Sequence, residues 1–384
     1  MLIGSAIKLD IPGAQCHSST IVHTTAATDM DSSISEDRDD DTESTMSDVQ
    51  IGSPAPSLYS FSSSVDERFM LRSVYGRILN SQNDTYFLPA DLEEHRRLDI
   101  QHHQYTLILG RLYPAPDLVW RALRPRLDRR PAILDVGTGS GSWAVDMARE
   151  FPHCDVVGID LAPPRIDGKV PSNCRFEIDD ANLGFPHYTE SFDVVHARAI
   201  SAGIRDFPCL LRELAGTLRP GGILLLGDGE QQLYDENQRP MAFTDPDAPS
   251  ISWLQKVFFA TYNAMKNRGG NIDSPSMSPT WLRAIDCLTD VGWHKEFIPI
   301  GPWAYEDERE RVLSELCREN CLRYISTLAP LLLSEGYLPE SVDQMCREAT
   351  AELRELRTRI YTRWNFAWAV KRPPIGTGVN NVEH

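Results

Sequence analysis

The sequence lacks several features that would assign a function at once. It has no apolar run long enough to cross a bilayer, and no basic start followed by a sustained apolar segment, as secretion requires. Its eight cysteines form no Cys-x-x-Cys pair, and Cys317 and Cys321 have no histidine pair beside them at zinc-ligand spacing. A P-loop and a correctly spaced serine-hydrolase motif are also missing. We therefore expect a soluble protein of the cytoplasm or nucleus, with free thiols, no membrane contact and no metal site.

Basic residues are also scarce. The chain has 38 lysines and arginines against 55 acidic residues, a net charge of −17, whereas a nucleic-acid-binding protein needs a basic face. Residues 1–64 carry ten acidic residues against Lys8 and Arg38, and they are rich in serine and threonine. Low hydrophobicity with high like charge cannot offset the entropy lost on ordering, so this tail is predicted to be disordered. It is interpreted either as a solvated extension or as an arm that binds partners or accepts phosphate.

What the sequence does contain is a strand, a glycine-rich turn and a distant aspartate. Residues 132–136 form a mostly apolar strand that runs into the glycine-rich segment 137–141. A helix is predicted at 141–151, and a second strand at 155–160 ends on Asp160. This pattern is typical of a nucleotide-binding β-α-β unit, in which glycines let the backbone approach the ligand and the second acid accepts hydrogen bonds from a ribose diol.

One further acid discriminates between ligands. Asp135 lies at the start of the turn, where its carboxylate would repel the pyrophosphate of a dinucleotide. It would suit a cationic group, such as the ammonium of a methionine moiety. The sequence therefore favours S-adenosylmethionine (SAM) over NAD, and an NAD-dependent oxidoreductase is kept as the less favoured alternative.

Strands and helices continue to alternate through residue 226, with continuous apolar strands. This alternation predicts a parallel sheet covered by helices on both faces. The remaining predicted strands are at 175–178, 192–197, 223–226, 293–299 and 365–371, and the remaining predicted helices are at 210–218, 250–267, 279–290, 306–334 and 339–363.

The domain organisation follows from these elements. The acidic tail 1–64 precedes a helical N-terminal cap at 65–130, in which Asp91 is placed to cap a helix. The catalytic domain is predicted at 131–372, with a helical insertion at about 306–363 before the last strand. Residues 373–384 are predicted to be a flexible C-terminus.

With these pieces in order, the sequence resembles the class I SAM-dependent methyltransferases. More narrowly, it resembles the LaeA-like methyltransferases of fungi, named for a regulator of secondary metabolism, through residues 97–102 (RLDIQH), 192–198 (FDVVHAR), 218–222 (LRPGG) and 300–303 (IGPW). The resemblance implies a Rossmann-like, three-layer α/β sandwich. Its seven-stranded sheet would be mostly parallel with the last strand antiparallel, and ligands would bind at the carboxyl ends of the strands.

The resemblance also implies which residues hold the cofactor SAM. Asp135 and the turn glycines match the motif that holds the methionine part, and Asp160 matches the acid that binds the ribose hydroxyls. Asp180 and Ala181 match a pair that contacts the adenine, but Asp179 stands where glycine is common, which leaves open which acid faces the adenine. The implied cofactor-binding residues are Asp135, Gly137, Gly139, Asp160, Leu161, Asp179, Asp180, Ala181 and Arg198.

Catalysis places few demands on side chains. Methyl transfer from a sulfonium is an in-line displacement, in which the protein mainly aligns the acceptor with the methyl carbon and excludes water. A general base is needed only if the acceptor must lose a proton. The candidate catalytic residues are His102, His196 and Glu230, with a satisfied core histidine or a solvated turn as the alternative interpretations.

Two functions remain open. The first is a methyltransferase acting on a small molecule of secondary metabolism or on a protein side chain. The second is a LaeA-like regulator that binds SAM and acts through protein partners, with the acidic tail and the insertion as contact surfaces. Asp135 and the 218–222 motif count against the oxidoreductase.

Overall fold

The computed structural model describes residues 67–166, 168–242 and 251–373. The predicted tail 1–64, and residues 374–384 of the predicted flexible C-terminus, lie outside the described residues. Ahead of the main sheet the chain forms α1 (Glu67–Met70), β1 (Leu71–Val74), β2 (Arg77–Asn80), α2 (Leu92–Leu109) and α3 (Pro116–Ala122).

The sequence predicted an entirely helical N-terminal cap, but the structure shows two strands within it. Strands β1 and β2 pair antiparallel, and Tyr75 and Gly76 between them have φ angles of 48° and 78°. Two consecutive positive φ angles are favoured in the tight turns of two-residue hairpins, and a short hairpin carries little periodic signal. The predicted cap of α2 is confirmed, since the Asp91 carboxylate accepts a hydrogen bond from the backbone N–H of Glu94.

The main sheet has seven strands in the order β5-β4-β3-β6-β7-β9-β8. Its strands are β3 (Ala132–Val136), β4 (Asp155–Asp160), β5 (Cys174–Ile178), β6 (Phe192–Arg198), β7 (Leu218–Tyr234), β8 (Leu288–Pro299) and β9 (Tyr361–Lys371). Strands β3 to β7 pair in parallel, whereas β9 is antiparallel to both β7 and β8. The predicted mostly parallel sheet with an antiparallel last strand is confirmed.

Helices cover both faces of this sheet, as a three-layer sandwich requires. Along β3, Ile133 packs in one cluster with Trp143 of α4 (Ser142–Glu150), whereas Leu134 packs in another with Leu214 of α5 (Phe207–Thr217). Successive side chains of a strand point to opposite faces, so an apolar run such as that of β3 requires burial on both sides. Two further helices, α6 (Trp253–Asn267) and α7 (Ser274–Arg283), follow β7.

The helical insertion before the last strand is present, with different boundaries. It comprises α8 (Glu308–Thr327), α9 (Ala329–Ser334) and α10 (Pro339–Glu355), and β9 starts earlier than the predicted residue 365. Leu356, with a φ of 51°, ends α10, so the helix cannot continue to 363. Helix α7 begins and ends earlier than the predicted helix at 279–290, because residues 288–299 form β8.

The insertion and the N-terminal helix build a third apolar cluster beside the sheet. Ile108 of α2, Leu313 and Ile325 of α8, and Leu353 of α10 are all buried in it, together with Phe258 of α6. This cluster lies over the carboxyl-terminal part of β7 and the amino-terminal part of β9, where Leu233 and Trp364 join it. Within the described ranges, no helix combines the length and apolar character needed to cross a membrane.

Candidate active site

A cavity lies at the carboxyl ends of the central strands. Its wall comprises the glycine turn after β3, the ends of β4 and β6, and the segment that follows β5, with Leu98 and Gln101 of α2 lying over them. In open α/β sheets this edge is where ligands bind. Eight of the nine predicted cofactor residues line this first cavity: Gly137, Gly139, Asp160, Leu161, Asp179, Asp180, Ala181 and Arg198.

The glycine turn is shaped by close contacts as well as by backbone conformation. Gly137 and Gly139 have φ angles of 69° and 57°, a region that favours glycine. A Cβ atom at Gly137 would overlap the side chain of Ile200, and one at Gly139 would lie 2.9 Å from Cδ1 of Leu98. Both glycines are therefore required by their position between the strand and the cavity wall.

Asp160 lies at the end of β4, between the glycine turn and the cavity. Its Oδ2 accepts a hydrogen bond from the backbone N–H of Gly139 at 2.8 Å, and Oδ1 accepts one from Ala162 at 3.3 Å. Burial raises the pKa of this carboxyl to about 6, so it is ionised at neutral pH. A carboxylate held in this way can still accept hydrogen bonds from the two hydroxyl groups of a diol.

Asp135 is the one predicted cofactor residue that does not line the first cavity. Its side chain is outside the cavity wall, with Oδ2 accepting from Thr138 Oγ1 at 2.7 Å and Oδ1 lying 2.7 Å from Nδ1 of His196. The alternation along β3 directs Asp135 to the face covered by α4, and β6 places His196 directly opposite it. These contacts tie Asp135 to the turn and to β6, and its contact with a ligand ammonium stays a prediction.

The two candidate histidines also lie outside the cavity. His196 stacks on Trp143 with ring centroids 3.8 Å apart and is 4% exposed, and burial lowers its pKa. His102, on α2, lies with Nε2 3.0 Å from Asp146 Oδ2 and Nδ1 3.2 Å from a guanidinium nitrogen of Arg198. Both imidazoles are held by protein groups outside the first cavity, and a role as catalytic base stays a prediction for each.

The segment after β5 carries the two acids that the sequence could not distinguish. Asp180 accepts hydrogen bonds from Asn83 at Oδ2, at 2.8 Å, and from the backbone of Asn182 at Oδ1, at 3.0 Å. Asp179 Oδ2 lies 3.3 Å from Nε2 of His187, and burial raises its pKa. Both acids line the cavity, and Asp180 in addition anchors the N-terminal region through Asn83.

A second cavity adjoins the first. The two share Tyr86, Leu98, Gln101 and Ala199 in their walls. The wall of the second cavity also contains polar and aromatic residues contributed by α2, β7, α6, α8 and β9: Arg97, Asp228, Glu230, Phe258, Asn320, Tyr324 and Trp364. Among these, sequence analysis singled out only Glu230 as a functional candidate, because no local motif connects residues so far apart.

Asp228 and Glu230 in this second cavity have different environments. Glu230 accepts hydrogen bonds at Oε1 from Arg363 Nε at 2.9 Å and from Asn365 at 2.8 Å, and at Oε2 from Tyr234 at 2.5 Å. This network occupies its oxygens and favours a structural role over the predicted catalytic one. Asp228 accepts from the backbone N–H of Ser201 at 3.2 Å, and burial raises its pKa to about 6.

The strand order and the antiparallel last strand define the class I methyltransferase fold, and the first cavity lies where that fold binds its ligand. A family model described as a methyltransferase domain matches residues 127–257. Methyltransferase pytC of Aspergillus terreus is 30% identical over 85% of this chain and 96% of its own. The secondary metabolism regulator laeA of Coprinopsis cinerea is 34% identical over 76% of this chain and 72% of its own. The chain belongs to the LaeA-like methyltransferase family.

This membership confirms the resemblance found in the sequence and supports a methyltransferase over an oxidoreductase. Among solved structures, phosphoethanolamine N-methyltransferase 2 of Haemonchus contortus, in complex with S-adenosyl-L-methionine, aligns with 72% of this chain and 57% of its own. That alignment has 17% identity and a TM-score of 0.40. It adds nothing to the fold assignment, which comes from the strand order.

Proposed function

We propose that the first cavity binds SAM and that the protein transfers its methyl group to a small molecule held in the second cavity. The observation that carries this proposal is the shared wall of the two cavities at Leu98, Gln101 and Ala199. A donor in one cavity and an acceptor in the other would meet at this wall.

The order of strands supports an orientation for SAM. The wall residues after β5, β4, β3 and β6 follow one another along the sheet edge. Adenine would lie against Leu161 and Ala181, with Asp179 or Asp180 accepting its amino group, and the ribose diol would bind Asp160. The methionine arm would extend over Gly137 towards β6, which brings the sulfonium to the shared wall.

The chemistry needs alignment and, for a protonated acceptor, a base. An oxygen or nitrogen of the acceptor attacks the methyl carbon while the carbon–sulfur bond breaks, and S-adenosylhomocysteine leaves. Asp228 is the group that we assign to take up the acceptor proton, because it lines the second cavity and its pKa of about 6 leaves it ionised at neutral pH. A base of this kind typically contributes about 10²–10⁴-fold to the rate.

The second candidate function is regulatory. It is favoured by the 34% identity to a protein named as a secondary metabolism regulator. In this alternative the domain binds SAM and acts through protein partners, with the acidic tail and the insertion helices as contact surfaces. A nuclear location, with methylation of a protein or no methylation of small molecules, would favour it.

Calorimetric titration of the full chain with SAM, S-adenosylhomocysteine and NAD tests the cofactor. We expect micromolar binding of the first two and none of NAD, and we expect Asp160→Ala to abolish binding. The matched control is Asp286→Ala, an exposed aspartate outside both cavities. Binding of NAD, or binding of SAM that is indifferent to Asp160→Ala, would overturn the assignment.

A second experiment separates the two functions. Cell extract is incubated with the protein and SAM that carries a labelled methyl group, and the products are divided by mass. A labelled small molecule supports the enzyme of secondary metabolism, whereas a labelled protein or no acceptor at all supports the regulator.

A further inference from the structure

Arg198, at the end of β6, is a partly buried cation that faces the first cavity. Its guanidinium lines the first cavity, lies 4.5 Å above the ring of Tyr105 and donates to Nδ1 of His102 at 3.2 Å. It forms no ion pair with a carboxylate in the part of the chain that the structure describes, and burial lowers its pKa. Partial burial of a charge without a counterion is costly, so an arginine that lines a cavity in this way indicates an anionic ligand.

His102 holds this guanidinium in a defined orientation. A guanidinium can only donate, so Nδ1 of His102 must accept and the ring proton must lie on Nε2. Nε2 then donates to Asp146 Oδ2 at 3.0 Å, which fixes the ring. Burial lowers the pKa of His102, in agreement with a neutral imidazole. The remaining N–H groups of the guanidinium are thereby left for a ligand in the cavity.

The strand order indicates which part of the ligand Arg198 would meet. Moving along the sheet edge from β5 to β6, the wall presents Asp180, Asp160, Gly137 and then Arg198. Three strand spacings separate β5 from β6, about 14 Å, which is comparable to a nucleoside with an extended amino-acid arm. The arm therefore reaches Arg198, and its carboxylate is the only anionic group that SAM carries.

We infer that Arg198 binds the carboxylate of the methionine arm of SAM, and that His102 and Asp146 act as positioning residues for it. This inference rests on the proposed function. Arg198 is part of the first cavity and not of the second, which separates it from the acceptor. The planar fork of an arginine suits a carboxylate, since two parallel N–H groups can donate to its two oxygens.

Three ligands isolate the carboxylate. S-adenosylhomocysteine has it, decarboxylated S-adenosylhomocysteine keeps the amine but lacks it, and 5′-methylthioadenosine lacks the whole arm. For the wild-type full chain we expect calorimetry to show a preference of about 10–100-fold for S-adenosylhomocysteine over its decarboxylated form, as a charge-assisted hydrogen-bond pair provides. Arg198→Met should erase this preference and leave the affinity for 5′-methylthioadenosine within about twofold.

Two further variants distinguish anchoring from general damage. Arg198→Lys keeps the charge but loses the fork, so the preference should shrink without vanishing. His102→Phe should reduce the preference by about 3–10-fold in the wild-type background and have no effect on it when combined with Arg198→Met, because both act on the same contact. Asp160→Asn is the control, and it should lower the affinity for all three ligands by the same factor.

The outcomes are separable. If the wild-type protein binds none of the three ligands, the proposed function fails. If it binds S-adenosylhomocysteine without preferring it over the decarboxylated form, or if Arg198→Met keeps the preference, only the inference about Arg198 fails. Should Arg198→Met not fold, the wild-type preference and its reduction in Arg198→Lys decide the question.

Discussion

The two cavities are built in different ways. The first is lined mainly by short segments that directly follow parallel strands, such as the glycine turn after β3 and Asp160 at the end of β4. The second takes Arg97 from α2, Asp228 from β7 and Tyr324 from α8. A backbone-built site can be read from local motifs, whereas a site assembled from side chains of distant elements cannot. In the proposed function, the first cavity binds the cofactor and the second selects the acceptor.

The largest expected effect is on turnover and comes from the second cavity. Asp228→Asn should lower the rate of methyl transfer by about 10²–10⁴-fold, because the acceptor proton loses its base. The affinity for S-adenosylhomocysteine should stay within about twofold of wild type, since Asp228 is outside the first cavity. Labelled-methyl transfer and calorimetry on the same preparation check both parts. A parallel loss of cofactor affinity would show that the two cavities are not separable in this way.

The next effect is on cofactor affinity and comes from the first cavity. Gly137→Ala should lower the affinity for S-adenosylhomocysteine by about 10–100-fold, because the new Cβ displaces Ile200 and strains the turn. Gly110→Ala is the matched control: its φ is 67°, and no atom lies within 4 Å of the added Cβ. That control should lose stability only. Equal affinities in the two variants would mean that close approach of the backbone to the ligand is not required.

A smaller effect concerns stability and separates Glu230 from Asp228. Glu230→Gln should lower the free energy of unfolding by about 2 kcal/mol, since Arg363 then loses its charged partner. Affinity for S-adenosylhomocysteine should not change. Chemical denaturation measures the effect, with Glu296→Gln on the more exposed His294 pair as the control, for which little loss is expected. If methyl transfer fell as far as in Asp228→Asn with no loss of stability, Glu230 would be the base after all.

The smallest effect depends on pH. The pKa of Asp228 is raised from 3.8 to about 6 in the folded protein, so folding takes up a proton between these values. The contribution of Asp228 to the free energy of unfolding is therefore greatest below about pH 4 and is lost as pH rises through about 6. Asp228→Asn should be more stable than wild type by about 1 kcal/mol at about pH 7.5, and this gain should shrink at about pH 4.5. Denaturation curves at both values test it, and a pH-independent difference would contradict it.

Much of the cofactor side was predictable. An apolar strand, a glycine turn and Asp160 are contiguous or closely spaced, and parallel strands must end at one edge, so their proximity follows from the chain order. The contact of Asp135 with His196 was not predicted, because the pairing of β3 with β6 is not visible in either strand alone. Glu230 was predicted as a candidate catalytic residue, but its distinction from Asp228 depends on Arg363 and Asn365 of the last strand.

The sequence by itself determined the alternation of strands and helices, the glycine turn and the acid that follows β4, because these depend on local conformation and on apolar periodicity. Only the tertiary structure decided which charged groups are satisfied by protein partners and which face a cavity. Arg198 and Arg363 look alike along the chain, yet one meets a neutral histidine and the other a carboxylate. Long-range packing sets that difference, since a side chain's partners come from elements that the chain order does not place beside it.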